Sequence, residues 1–176
     1  MNLILETDRL ILRELQLSDT EAFFAMDNNP NVHQYLWNKP VQKIEETIEV
    51  ISIVRQQYID NGIGRFAMIL KETEEFIGWA GLKYNTEAVN NKVNFYDIGY
   101  RLDEKFWGKG YASESAFAWL NYAFETMNIK TIEAAAHTDN VASNRILQKI
   151  GMQFTGQYLE GDISWNWYQL ENAKFI

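Results

Sequence analysis

The chain has 176 residues, a formal net charge of −8 and no cysteine. That length suits one domain with a substantial core, and the missing thiol excludes disulfides, thiol catalysis and thiolate metal sites. The acidic balance, with no basic run, argues against nucleic-acid binding.

No apolar run is long enough to span a bilayer. Glu6 and Asp8 interrupt the N-terminus where a secretion signal would carry basic and apolar blocks. A cytoplasmic protein with no membrane partner is expected. Residues 10–15 read as a strand. Ser18 or Asp19 is placed to cap a short helix carrying Ala22, Phe23 and Met26, with Glu21 at the capping-box offset from Ser18. Pro30 and Pro40 mark the region around residues 28–39 as a loop. Ile44, Ile48, Ile51 and Val54 trace a second helix that ends before Asn61-Gly62.

Residues 65–70, 75–84 and 93–102 read as consecutive strands. A helix over 113–127, a strand over 131–136 and a helix over 141–150 follow, the last closed by a left-handed Gly151. Strands over 153–158 and 163–170 complete the chain. In the last one, Trp165 and Trp167 alternate with Ser164 and Asn166, which sends one face toward the core. Strand meanders with two crossover helices predict an α+β fold: a mixed sheet of about seven strands flanked by about four helices, in one domain over residues 1–176.

The most informative stretch is Trp107-Gly108-Lys109-Gly110-Tyr111-Ala112, between a strand and a helix. A glycine-bearing turn at a helix start gathers backbone N–H groups at the positive end of the helix dipole and suits a phosphate. It is not a P-loop, because Gly108-Lys109 is followed by Gly110 rather than Ser or Thr. A chance match to the dinucleotide fingerprint, Gly62-Ile63-Gly64-Arg65-Phe66-Ala67, follows a helix and precedes a strand, the reverse of the required order.

This turn resembles the pyrophosphate loop of the GNAT N-acetyltransferase superfamily, Arg/Gln-x-x-Gly-x-Gly/Ala. Gly110 and Ala112 fill the last fixed positions and Trp107 stands where Arg or Gln is usual. The Phe106-Trp107 version is similar to the RimJ/RimL-like branch of ribosomal-protein alanine acetyltransferases. Residues 5–13 resemble that branch's opening strand, and Asp139-Asn140-Val141-Ala142-Ser143-Asn144 resembles the start of its second cofactor-side helix.

The resemblance implies acetyl-CoA as co-substrate, no metal, and a splay between the fourth and fifth strands of the fold, here between residues 96–102 and 132–136. It implies that Tyr100, Arg101 and Leu102 meet pantetheine through their backbone. Trp107, Gly108, Lys109, Gly110, Tyr111, Ala112 and Ser113 would form the pyrophosphate turn, and Asn140 and Ser143 would lie near the sulfur. Backbone N–H groups near residues 100–102 would polarise the thioester carbonyl. The superfamily's usual acid tyrosine falls at Leu147 here, which leaves Ser143, water or no dedicated group as the acid. Asn140 and Ser143 also suit simple N-capping.

Asp97 sits mid-strand on one face with Phe95 and Gly99. As general base, direct or through water, it would need a desolvated carboxyl with a raised pKa; otherwise it is a strand carboxylate facing solvent or a neighbour. His33, Tyr35 and Trp37 in the first loop either line the acceptor pocket or pack over a core edge. Glu160 and Asp162 around Gly161 form a solvated turn unless, as the resemblance implies, they border the acceptor side and hold a cationic amine. The expected acceptor is a peptide N-terminus, polyamine, aminoglycoside or amino acid, and the expected state a monomer or homodimer. A catalytically silent acyl-CoA-binding sensor or interaction module is the alternative.

Overall fold

The computed structural model describes residues 3–175. The strands are β1 (Ile4–Glu6), β2 (Leu10–Glu14), β3 (Arg65–Leu70), β4 (Phe76–Asn85), β5 (Phe95–Leu102), β6 (Thr131–His137), β7 (Gln153–Glu160) and β8 (Ile163–Glu171). They form one eight-stranded sheet in the order β1-β2-β3-β4-β5-β6-β8-β7. Every neighbouring pair is antiparallel except β5 and β6. The strand beyond the expected seven comes from the N-terminus. Residues 5–13 fold as a hairpin rather than one opening strand, because the Thr7 N–H donates to the Leu10 carbonyl and Thr7 Oγ1 accepts from the Leu10 N–H.

The helices are α1 (Thr20–Asp27), α2 (Pro30–His33), α3 (Ile44–Asn61), α4 (Tyr111–Asn121) and α5 (Val141–Lys149). Helix α2 lies inside the predicted loop. Asn29 caps it by accepting from the Asn31 N–H at 2.9 Å, with Pro30 at the first helical position. Neither Ser18 nor Glu21 makes the expected capping box. Asp19 closes the entry to α1 instead, accepting from the Gln16 N–H at 2.8 Å and from both Arg13 amino groups at 2.8 and 2.7 Å. Helix α4 begins at Tyr111, before the predicted start, and runs into a π-helical turn over Tyr122–Thr126. No helix among the described residues is long and apolar enough to cross a membrane.

Alternation sorts each strand's side chains to two faces. Phe66, Met68 and Leu70 of β3 join Ala116, Trp119 and Leu147 of α4 and α5 on one face. Ala67 and Ile69 join Phe23, Met26, Ile51 and Val54 of α1 and α3 on the other. Trp119 is fully buried, its ring 4.7 Å from that of Phe66. The apolar cluster beneath α1 and α3 takes no residue from β6, β7 or β8, so that part of the sheet is left to be lined by loops.

Strands β5 and β6 pair at two positions only, Tyr96↔Ile132 and Asp97↔Glu133. Beyond them β5 continues beside β4 to Leu102, while β6 continues beside β8 to His137. The strands therefore part after Asp97 and leave a wedge whose β5 edge has no strand partner. This is the expected splay.

Candidate active site

Strand β5 leads into the glycine turn through a short 3-10 turn capped by Asp103, which accepts from the Lys105 N–H at 3.1 Å. The Trp107 indole folds back and donates to the Leu102 carbonyl at 2.9 Å. Trp107 thus locks the turn to the end of the strand. Gly108 and Gly110 have φ of 72° and 86°, left-handed values that a side chain disfavours, and nothing lies within 4 Å of where a Cβ on Gly108 would stand. Among the described residues, none of the N–H groups of residues 108–113 finds a protein acceptor. A row of free donors with open space before it, at the N-terminus of an eleven-residue helix, fits a diphosphate. The Tyr111 and Ser113 side chains are buried, so these residues offer backbone rather than side chains to a ligand.

A brace that sequence reading missed holds this turn. Arg9 Nη1 donates to the Lys109 carbonyl at 3.0 Å, and its guanidinium lies 4.4 Å from the centroid of the Tyr111 ring. Arg9 also binds Glu114 Oε2 through Nε at 2.7 Å and Nη2 at 2.6 Å, while Glu114 Oε1 accepts from the Thr7 hydroxyl and the Arg9 N–H. Burial works against ionisation of Glu114, but the bonds from Thr7 and Arg9 and the Arg9 charge hold its carboxyl below the usual range. The signal in the sequence was Thr7-Asp8-Arg9, which read only as the start of a strand.

At the closed end of the splay, Asp97 is not an isolated carboxylate. Oδ2 accepts from Arg65 Nη2 at 2.7 Å and Oδ1 from Asn85 Nδ2 at 3.1 Å. Arg65 reaches it across Gly99, where a Cβ would stand 2.9 Å from the guanidinium carbon, so the glycine makes room for the ion pair. Of the two settings expected from sequence, a desolvated carboxyl or one bonded to a neighbour, the contacts are those of the second, because Arg65 on β3 and Asn85 on β4 both reach it.

Asn140 caps α5, accepting from the Ser143 N–H at 3.0 Å. Ser143 itself is not the cap. Its Oγ and its carbonyl each lie 3.2 Å from the Tyr100 hydroxyl. A tyrosine hydroxyl thus reaches the start of α5 from β5, whereas Leu147 is buried in the core. Burial pushes the Tyr100 hydroxyl above the ordinary tyrosine range, with the Ser143 bond pulling the other way. The Arg101 side chain turns away from the wedge and binds Asp27 of α1 at 2.9 Å, leaving its backbone at the β5 edge.

A cavity of about 190 Å³ opens at the same end. Its walls are Asp97, Phe95 and Asn85 of β5 and β4, Val89 of the intervening loop, Ala135 of β6, Trp165 and Trp167 of β8, Tyr158 and Glu160 of β7, and Trp37 beyond α2. Trp37 packs on Trp165 with ring centroids 6.1 Å apart, and Tyr35 on His137 at 5.4 Å. Beneath the cavity, buried Glu133 accepts from the Trp167 indole at 2.7 Å and pairs with Lys92. That ion pair fixes the loop over residues 86–94, a wall that the sequence did not mark. Asp162 is exposed and does not line the cavity.

The family model described as "Acetyltransferase (GNAT) domain" matches residues 9–153. The chain belongs to the GNAT acetyltransferase family. It is 36% identical over 153 residues to "Uncharacterized N-acetyltransferase YoaA" of Bacillus subtilis (strain 168), covering 87% of this chain and 84% of that protein. Its fold is similar to that of a GNAT-family acetyltransferase from Bacillus anthracis, with a TM-score of 0.82, 24% identity, and coverage of 97% and 99% of the two chains. The RimL ribosomal L7/L12 α-N-protein acetyltransferase, solved in complex with coenzyme A, aligns at a TM-score of 0.79 with 25% identity over 96% and 98%.

As a RimL-like GNAT protein the chain is an acetyl-CoA-dependent N-acetyltransferase. The glycine turn follows the free β5 edge, and the cavity adjoins the two-rung contact between β5 and β6 at Asp97. The structure brings Asp97 to the cavity and joins Tyr100 to Ser143. It assigns the side chains of Arg101, Trp107, Tyr111, Ser113 and Asn140 to packing, bracing or capping.

Proposed function

We propose that this GNAT enzyme acetylates a primary amine, a protein N-terminus or a small amine, by direct attack of the amine on the thioester. The cavity at the closed end of the splay carries this reading: it sets aromatic walls and the Asp97 carboxylate where the β5 edge becomes free. Acetyl-CoA supplies an acetyl group activated as a thioester. The N–H groups of residues 108–113 are the donors for its diphosphate, and the free β5 edge near Tyr100, Arg101 and Leu102 is the surface for its pantetheine arm. Bound in water, the amine arrives protonated and must lose a proton before attack.

Asp97 serves as general base, directly or through a water. A carboxylate has about four lone-pair sites, and Arg65 and Asn85 use two of them. No other side chain among the described residues takes the remainder, and the carboxylate lines the cavity. Ser143, oriented by Tyr100, hands a proton to the departing thiolate. This step asks little of the protein, because a thiolate is a stable leaving group. The test is release of free thiol from acetyl-CoA with a panel of primary amines, alongside calorimetric acetyl-CoA binding. Amine-dependent thiol release, accompanied by acetylated amine, is the expected result. Tight binding without release for any amine overturns the proposal.

A further inference from the structure

Building on the reading of this cavity as the acceptor site, we infer that its acceptor carries a second cation, held by Glu160 across an aromatic floor from the reacting amine. The cavity has a carboxylate at each end, Asp97 on β5 and Glu160 on β7, with Phe95, Tyr158, Trp165 and Trp167 between them and Trp37 as a roof. In the sheet, β6 and β8 stand between β5 and β7, so the two carboxylates come from strands three positions apart, on opposite walls of the cavity.

The two carboxylates differ in what neutralises them. Asp97 has Arg65, and the nearby buried Glu133 has Lys92. Glu160 has neither an ion pair nor a hydrogen bond from another side chain among the described residues, and no Lys, Arg or His lines the cavity. The Glu160 and Asp97 charges, after burial, push the Tyr158 hydroxyl up to about 12, which places that ring within the field of both. One exposed carboxylate without a protein counter-ion therefore remains, at the β7 end of the cavity.

The surfaces between the ends suit an alkyl chain with a cationic terminus. Methylenes pack on indole and phenyl faces, and those faces attract a cation through their quadrupole. They offer nothing to a carboxylate, which would also meet Glu160. A free α-amino acid is thus a poor acceptor, and an amine with a remote ammonium a good one. The cavity is also unfinished by the chain itself. Trp165 is 8% exposed, yet its indole N–H finds no partner among the described residues. Buried donors are seldom left so, and this one calls for an acceptor atom, which an ammonium does not offer and a water entering with the ligand does.

The experiment compares α,ω-diamines with n-alkyl monoamines of equal chain length in acetyl-CoA turnover. It uses the wild type, Glu160→Gln and, as an exposed α3 control, Glu49→Gln. We expect the wild type and Glu49→Gln to favour the diamine roughly tenfold or more in kcat/KM, chiefly through KM, at one favoured length. Glu160→Gln should erase that preference while acetyl-CoA affinity stays near wild type, and Glu49→Gln should leave both unchanged. Equal use of both amine classes by the wild type, or a preference that survives Glu160→Gln, overturns the inference. Calorimetric titration of both amines into coenzyme-A-saturated protein reads the same discrimination without turnover. A protein that prefers the diamine in binding but releases no thiol keeps this inference and overturns only the catalytic reading.

Discussion

Asp97 and Arg65 share a half-open setting, with the guanidinium side chain 14% and the carboxylate 25% exposed. Asp97→Asn keeps the shape and removes both the charge and the ability to take a proton. We expect turnover to fall about 10²-fold or more with acetyl-CoA affinity retained, and the acid limb of the pH–rate profile to move or vanish. Stability should also fall by about 1–3 kcal/mol, because Arg65 keeps its charge without a counter-ion. An unchanged pH profile in a folded variant would return the base role to water. At the start of α5, cap and chemistry separate cleanly. Asn140→Ala should cost about 0.5–2 kcal/mol of stability, as caps do. Ser143→Ala leaves the cap in place, so its melting temperature should change little while turnover drops roughly tenfold if Ser143 supplies the proton. Tyr100→Phe, with Ser143 intact, should lower turnover less. Equal turnover across Ser143→Ala, Tyr100→Phe and the wild type would leave solvent as the acid. The Asn140 and Ser143 positions were legible because a cap is local chemistry. The partners of Asp97 and the Tyr100 hydroxyl were not, because Arg65 and Asn85 lie 32 and 12 residues from Asp97 and Tyr100 lies 43 from Ser143.

Among the elements, the glycine turn and its brace form a unit with the N-terminal hairpin. Gly110→Val places a β-branched side chain at φ 86°, which costs stability of order 1–3 kcal/mol, and also intrudes on the donor row. Acetyl-CoA affinity should fall by far more than the stability loss alone explains. Arg9→Ala makes the complementary test: it leaves the turn's sequence intact and removes its support, so affinity should fall less than in Gly110→Val. Unaltered affinity in a folded Gly110→Val variant would move the diphosphate elsewhere. Helix α2 is tied down by a different device. Its His33 packs beside Arg101 of β5 and Asp27 of α1, with Nε2 3.8 Å from Asp27 Oδ1 and both ring nitrogens buried without a hydrogen bond among the described residues. Burial, then the Arg101 charge, push His33 below the usual histidine range. The unfolded chain therefore binds a proton that the folded one refuses. Stability should be full above the ordinary histidine pKa and decline as pH falls through it. Thermal melts at pH 7.5 and 5.5 should show a smaller difference in His33→Asn than in the wild type; identical slopes would place the acid sensitivity elsewhere. In sequence, α3 was read almost to the residue from its apolar spacing and Gly62. Helix α2 was missed because four residues are too few to show a period.

For the molecule as a whole, the order of elements along the chain and the two crossover helices followed from alternating apolar runs and turn residues, and the family resemblance came from motifs spread along the chain. The N-terminal hairpin escaped because its turn rests on one threonine hydroxyl. The cavity escaped in part because its walls come from β4 to β8 and from two loops, an assembly that no single window of sequence contains. Trp37 and Glu160 lay in the regions expected to border the acceptor, whereas Val89, Asn85 and the Lys92–Glu133 pair carried no local mark.

The narrow contact between β5 and β6 also bears on how the chain opens. Backbone pairing between β1 to β5 and β6 to β8 is limited to two rungs, helped by one shared apolar face and side-chain contacts such as Lys92 with Glu133 and Trp37 with Trp165. Cooperative units of a fold separate where their connections are sparse, and amide hydrogen exchange reports that separation. The three C-terminal strands are thus poised to exchange as a foldon of lower free energy than the β2–β4 core. A coenzyme lying in the wedge would touch both units and stitch them together. Saturating coenzyme A should slow exchange in β6 and β8 more than in β2 and β3, and bring the two rates toward a common value. Uniform slowing across all strands would show that the seam does not divide the molecule.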